Sequence, residues 1–288
     1  MHCTRLDAPF GALLHLEFDP AMRPLAPTER DELRRLFSEH GLLVIRAGPL
    51  SDESQIELLS ALGRIEPNEY GAPMRMEVTN QHDQSTAPDG ELTFHYDYAY
   101  DPAPIPGISM YGALIEEGAT PTLFVNSANV LDRLPRSLVQ ELRALAAAHA
   151  CFLETPSGDR SAEPKPLIPR GNKGWGPDHY WTHHPAILKN SFGTETLFVC
   201  LQHTDRFIGL TRPESDRLLD DVYAALYDPA YVVEHGWAPD DLVIWDNLAV
   251  QHARPTPTEA PRTLRRYHLS DTNLTTDYIR VARKQGIM

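Results

Sequence analysis

Cysteine is scarce: Cys3, Cys151 and Cys200 are the three in 288 residues, and they lie far apart. They form no CxxC pair. That excludes a disulfide framework and a cysteine zinc site, and it fits a reducing compartment. Basic residues are also short: 26 Lys and Arg stand against 40 Asp and Glu, giving a net charge of −14 and a pI of about 5.3. Such a chain repels phosphate backbones, so nucleic acid is not an expected partner, although a local basic pocket for a small anion is compatible with that balance. No run approaches a membrane span. The opening stretch MHCTRLDAPFGALLHLEFDP carries charges at Arg5 and Asp7 and lacks the apolar core of a signal peptide. A cytoplasmic protein with no membrane partner is expected. No phosphate-binding GxxxxGK[ST] occurs, and no GxSxG nucleophile elbow.

What is present is an ordinary globular composition, 42% hydrophobic and 23% charged. Residues 1–288 are read as a single domain with a sizeable core. Pro27 to Gly41 reads as a helix with Thr28 as N-cap, Leu33, Leu36 and Phe37 as its apolar stripe and Gly41 as its stop. LLVIRA follows as a buried strand, then a capped helix from Ser51 to Gly63. From Met74 onward short β-like runs dominate, among them LTFHYDY, GISMYGALI, TLFV, TLFVCL, DLVIWDN and RRYHL. Two helices interrupt them, near Ser137 to Ala150 and near Pro213 to Tyr227. Many short strands with turn signals between them predict a β-sandwich or barrel with the early helices outside. Glu154 to Asp178 is rich in Pro and Gly without a period, and is expected to be a lid loop.

Chemistry concentrates in two stretches. In ELTFHYDYAY, a strand pattern places His95 and Asp97 on one face and Tyr96 on the other. In DDLVIWDNLAVQHARPTPTEAPRTLRRYHLSD, a buried strand leads to His252, and a further strand carries Arg262, Arg265 and Arg266. His95, Asp97 and His252 together make two imidazoles and one carboxylate, a facial triad of the kind found in non-haem Fe(II) oxygenases. Such a triad leaves positions for a bidentate 2-oxo acid and for O2. The far carboxylate of 2-oxoglutarate needs a buried cation, for which a bidentate arginine is best suited; Arg262 is placed to be it. HxD alone is a weak signal, and a lone His–Asp pair is more often structural. HYWTHHP brings His179, His183 and His184 together, but it lacks the glutamate of HExxH and reads as a strand. Two other readings of the triad stay open: a zinc metallohydrolase, and a non-catalytic β-barrel binding protein with a satisfied polar cluster.

The pieces FHYD, GATPTLFVN, HHPAILKNSFGTETLFV and DLVIWDNLAVQHAR…APRTLRR, in this order, resemble the taurine/2,4-dichlorophenoxyacetate dioxygenase family of Fe(II)- and 2-oxoglutarate-dependent oxygenases. The resemblance runs from HGLLVIR to RRYHL. It implies a double-stranded β-helix, a jelly-roll or cupin-like core with flanking helices. By the same resemblance His95, Asp97 and His252 hold iron, Thr122 and Arg262 hold 2-oxoglutarate, and Arg266 reaches toward the iron as a catalytic-site arginine. It also implies succinate and CO2 as products, and a homo-oligomer. Tyr96 stands where the family usually has Thr. Asn68 stands roughly where the taurine enzyme has a substrate-binding His, so taurine is not carried over. Asp97 is retained, which disfavours halogenation. The substrate expectation is a small organic acid or amino-acid derivative, hydroxylated or otherwise oxidised at C–H, with Tyr70, Asn80, Tyr98, Tyr100 and His184 as candidate contacts. Arg265, on the other face of its strand, is expected to matter less for the cosubstrate.

Overall fold

The computed structural model describes residues 1–82, 85–87, 90–151, 181–274 and 276. The expected lid, Glu154 to Asp178, and His179 lie outside them. In chain order the elements are β1 (His2–Arg5), β2 (Ala12–His15), α1 (Pro27–His40), β3 (Leu42–Arg46), α2 (Asp52–Ser60), β4 (Met76–Thr79), β5 (Leu92–His95), β6 (Gly107–Ile115), β7 (Thr122–Asn126) and α3 (Arg136–Arg143). They continue with β8 (Ala146–Ala150), β9 (Trp181–Pro185), β10 (Ile187–Lys189), β11 (Glu195–Leu197), β12 (Thr204–Phe207), α4 (Arg212–Leu226), β13 (Val233–His235), β14 (Leu242–Asp246), β15 (Val250–Arg254) and β16 (Arg262–Leu269).

Two sheets carry the architecture among the described residues: β1-β2-β3-β14-β6-β16-β4 and β13-β7-β15-β5. Strand alternation explains how they face each other. On β14, Val243 and Trp245 join a core with Phe124 of β7 and Val250 of β15, while Leu242 and Ile244 join a second core with Leu33, Leu36 and Phe37 of α1 and Leu58 and Leu59 of α2. The larger sheet is therefore apolar on both faces: one packs on the smaller sheet, the other under the helices. A third core lies beneath α4, where Leu218, Leu219 and Val222 meet Val125, Ala147, Leu197 and Phe207. This is the predicted jelly roll with flanking helices.

The same parity sorts β16. Leu264 belongs to the inner core; Tyr267 and Leu269 belong to the helix-facing core. Arg262, Arg266 and His268 share the face of Leu264, while Arg265 shares that of Tyr267.

Several expected boundaries move. The N-cap of α1 is Ala26, not Thr28. Pro27 takes the first helical position, where its missing N–H costs nothing, and the Glu29 carboxylate accepts the Ala26 N–H at 2.9 Å. Gly41 ends α1 at φ 67°, as its sequence position suggested. The helix expected over Ser137 to Ala150 divides. It stops at Arg143, and Ala146–Ala150 is the central strand between β12 and β9. Alanine's helix preference is a few tenths of a kcal/mol per residue, and pairing on both edges outweighs it. LTFHYDY is shorter as a strand than its composition implied, because β5 ends at His95.

Candidate metal and cosubstrate centre

β15 pairs antiparallel with β5 so that His252 lies directly opposite His95. Their rings are 4.2 Å apart. Asp97 reaches the same point from beyond the strand. After His95 the chain turns, and Tyr98 takes a left-handed φ of 57°. The side chain of Asn247 fixes that turn: it accepts the Asp97 N–H at 3.0 Å and donates to the carbonyls of Asp97 (3.0 Å) and Ile105 (2.9 Å). Asn247 is fully buried at the end of β14. The expectation that His95 and Asp97 share a strand face is thus corrected: they meet because Asn247 holds the turn. Tyr96 does point away. It is fully buried, stacks on Phe198 at 4.5 Å, and donates to the Leu197 carbonyl at 2.8 Å.

Asp97 Oδ1 lies 3.3 Å from His95 Nε2 and 3.7 Å from His252 Nε2. One ligand atom from each residue falls within 4.8 Å of the others. The His95 Nδ1–H donates to the Thr93 carbonyl at 2.7 Å, which leaves the Nε2 lone pair facing inward. Burial holds both imidazoles neutral: it lowers the His95 pKa to about 4 and pushes His252 well below its ordinary value. Two imidazole nitrogens and a carboxylate oxygen therefore converge as electron-pair donors, an arrangement that can hold one divalent cation. Asp97 Oδ2 faces away from that point and forms an ion pair with the Arg266 guanidinium.

Arg262 lies four residues before Arg266 on the same face, about 13 Å along the strand. It is buried and donates to the Thr120 carbonyl at 2.6 Å, two residues from Thr122. Among the described residues no carboxylate pairs with it. Desolvation lowers its pKa to about 10, so it stays a cation at neutral pH. The Thr122 hydroxyl accepts from Trp237 Nε1 at 3.0 Å.

The proposed substrate contacts separate. Tyr70 is 86% exposed on a surface turn and is not brought to the centre. Asn80 is a structural clamp: its carbonyl oxygen accepts the Arg262 N–H at 2.9 Å, and its amide donates to the Ala260 carbonyl at 2.8 Å. His184 packs behind the turn, with Nε2 2.9 Å from the Asp101 carbonyl. Tyr98 and Tyr100 are brought in. Tyr98 meets the His268 ring at 5.7 Å and Tyr100 meets that of His203 at 5.0 Å; His203 in turn lies 6.0 Å from His95. Sequence reasoning missed Asn247, Trp237, His203, Glu66 and His268. Of these only His268 had a signal, its even spacing from Arg262 and Arg266.

A sandwich of two sheets with two imidazoles and a carboxylate converging beside the paired strands β5 and β15 defines a jelly-roll fold with a candidate metal centre. The chain belongs to the taurine catabolism dioxygenase TauD, TfdA family, whose model matches residues 4–268. It is 27% identical over 268 residues to the alpha-ketoglutarate-dependent 2,4-dichlorophenoxyacetate dioxygenase of Cupriavidus pinatubonensis, covering 84% of this chain and 88% of that one. It is 29% identical over 188 residues to pentalenolactone F synthase of Streptomyces arenae, covering 62% of this chain and 61% of that one. In fold it superimposes with a TM-score of 0.72, at 19% identity and over 93% and 96% of the two chains, on AAD-2 solved in complex with Mn(II) and N-oxalylglycine. No described helix is long and apolar enough to cross a membrane.

Proposed function

We propose that this chain is an Fe(II)- and 2-oxoglutarate-dependent oxygenase of a small organic molecule, with His95, Asp97 and His252 as the metal ligands. The convergence of a ring nitrogen from each of two buried neutral imidazoles with a carboxylate oxygen at one point carries the reading: it is a donor set that a divalent cation completes. Zinc hydrolysis on the same triad leaves the buried Arg262 without a role. When Fe(II), 2-oxoglutarate and O2 are bound, they supply oxidation of a substrate C–H bond with release of succinate and CO2.

The chain's own residues prepare that chemistry. His95 is fixed in the ligating tautomer by Thr93. Asp97 would offer Oδ1 to the metal, since Arg266 pairs with Oδ2. Arg262 supplies a buried cation for the distal carboxylate of 2-oxoglutarate, and the Thr122 hydroxyl is assigned as its second contact. Burial excludes water, which strengthens each of these contacts. A homo-oligomer belongs to this reading, and light scattering at working concentration tests it.

Arg262→Ala tests the assignment. Losing a charge-assisted contact worth about 1.5–3 kcal/mol should weaken 2-oxoglutarate roughly 10- to 100-fold. Metal should stay bound. Arg262→Lys should recover part of the loss, because it keeps the charge but not the fork. Pyruvate, which lacks a distal carboxylate, should lose less than 2-oxoglutarate. An unchanged 2-oxoglutarate requirement in Arg262→Ala, with metal bound, would overturn the oxygenase reading.

A further inference from the structure

Behind Asp97 lies a second buried pair that the metal and cosubstrate do not use. His268 follows Arg266 by two residues on the inner face of β16, and its Nδ1 is 2.8 Å from the Glu66 carboxylate. Glu66 is fully buried and His268 is 2% exposed. The backbone sets this pairing. The Glu66 N–H donates to the His268 carbonyl at 2.9 Å, Met74 N–H donates to the Glu66 carbonyl at 2.8 Å, and Ile65 bridges to Leu269. A carboxylate accepts the Nδ1–H, so Nε2 presents a lone pair.

That Nε2 is buried without a hydrogen-bond partner. It stands 3.7 Å from Asp97 Oδ2, beyond bonding distance. Asp97 already has Arg266 on that oxygen. Around it runs a wall of rings: His268 to Tyr98 at 5.7 Å, Tyr98 to Tyr100 at 5.9 Å, Tyr100 to His203 at 5.0 Å and His203 to His95 at 6.0 Å. The rings run in sequence from His268, which lies 3.7 Å from Asp97, to the triad residue His95. A buried polar atom left open at such a place is one a ligand completes.

We propose that the Glu66–His268 pair is the recognition subsite for the primary substrate, and that it selects a molecule offering an O–H or N–H donor near the carbon to be oxidised. His268 Nε2 accepts that hydrogen bond, and Glu66 fixes the ring so that it can. The proposal rests on the oxygenase reading of the triad, and it replaces the small organic acid with an alcohol, amine or amide. A carboxylate placed here would meet the lone pair of Nε2 and two carboxylates, Asp97 and Glu66, while the nearest cation, Arg266, is already paired.

The test uses the full chain loaded with Zn(II) and 2-oxoglutarate, with benzyl alcohol, benzylamine and benzoate as probes of one shape. Saturation-transfer NMR reads binding of each probe, and retained 2-oxoglutarate is read in the same sample. In the native protein the alcohol and amine should bind more tightly than benzoate. His268→Phe, which keeps a ring in the wall, should weaken both about ten- to hundredfold and leave 2-oxoglutarate in place. Glu66→Gln is the sharper variant. Its amide N–H can donate to Nδ1, which moves the ring proton to Nε2, so the preference should turn toward benzoate. A merely structural pair would not reverse an order of ligands. Equal or absent binding of the three probes, tighter binding of benzoate to the native protein, or no change in His268→Phe overturns the subsite. Failure of the protein to retain 2-oxoglutarate with metal overturns the oxygenase reading instead.

Discussion

Asn247 makes three hydrogen bonds to the turn that carries Asp97, and none to the point where ligands converge. Asn247→Ala removes all three at a fully buried position, so the Asp97 backbone loses its anchor. The expected result is metal affinity lowered about 10- to 100-fold, the range for residues that orient ligands rather than supply them. His95→Ala, Asp97→Ala and His252→Ala should each abolish turnover. Metal titration separates the two classes: Asn247→Ala should still saturate at high metal, and a saturation curve identical to the native one would remove its positioning role. Tyr96→Phe should keep the metal but lose about 1 kcal/mol of stability, since its hydroxyl bond to Leu197 is buried. The ligands themselves were legible because HxD followed by a late His and an Arg is a compact pattern. Asn247 was not, because its partners lie about 150 positions away in sequence, and nothing local marks an asparagine at a strand end as a clamp rather than a turn former.

At the scale of elements, alternation along β16 decides which arginine does what. Arg265 faces the helices, where it ties down the start of α2. It donates to Gln55 Oε1 at 2.7 Å and to the carbonyls of Leu50 and Ser51 at 2.8 and 3.0 Å, and it lies over the Tyr111 ring at 4.3 Å. It is therefore a structural residue rather than a silent control. Arg265→Ala should destabilise the protein by about 1.5–3 kcal/mol, the worth of hydrogen bonds made by a charged group, because its carboxylate partner Asp52 is part-exposed, while the 2-oxoglutarate requirement of the folded fraction stays native. Chemical denaturation read beside cosubstrate titration checks both halves. A raised 2-oxoglutarate requirement with unchanged stability would place Arg265 on the inner face and reverse the parity. Period-two patterning made this face assignment readable from RTLRRYHL. The same patterning failed at Ala146–Ala150, where four alanines and a histidine carry no β signal, and only the strands on either side make that segment a strand.

Across the whole molecule, imidazoles are buried neutral in several places: burial lowers the pKa of His95, His235 and His268 each to about 4. Unfolded histidines titrate near 6.5. At pH 7 neither state binds these protons. Between about pH 6.5 and about 4 the unfolded chain takes them up and the folded chain does not, so stability falls with pH over that window. Asp246 works the other way. Burial raises its pKa to about 6, so below that pH the folded state holds a proton the unfolded state lacks and gains stability. The lowered histidines, which also include His149, His184 and His252, outnumber the one aspartate and set the sign: the metal-free protein should melt lower at pH 5 than at pH 7. A loss of even about 3 kcal/mol would lower the midpoint by roughly 6–12 °C for a chain of this size. Zn(II) should raise the midpoint at pH 7, because it binds the folded triad, and that increment should persist at pH 5, because burial keeps His95 and His252 unprotonated there in the folded protein. Calorimetry at the two pH values, with and without metal, reads all four midpoints. A metal increment that collapses between pH 7 and pH 5 would mean that the ion is held by histidines that titrate near 6.5 and not by the buried His95 and His252.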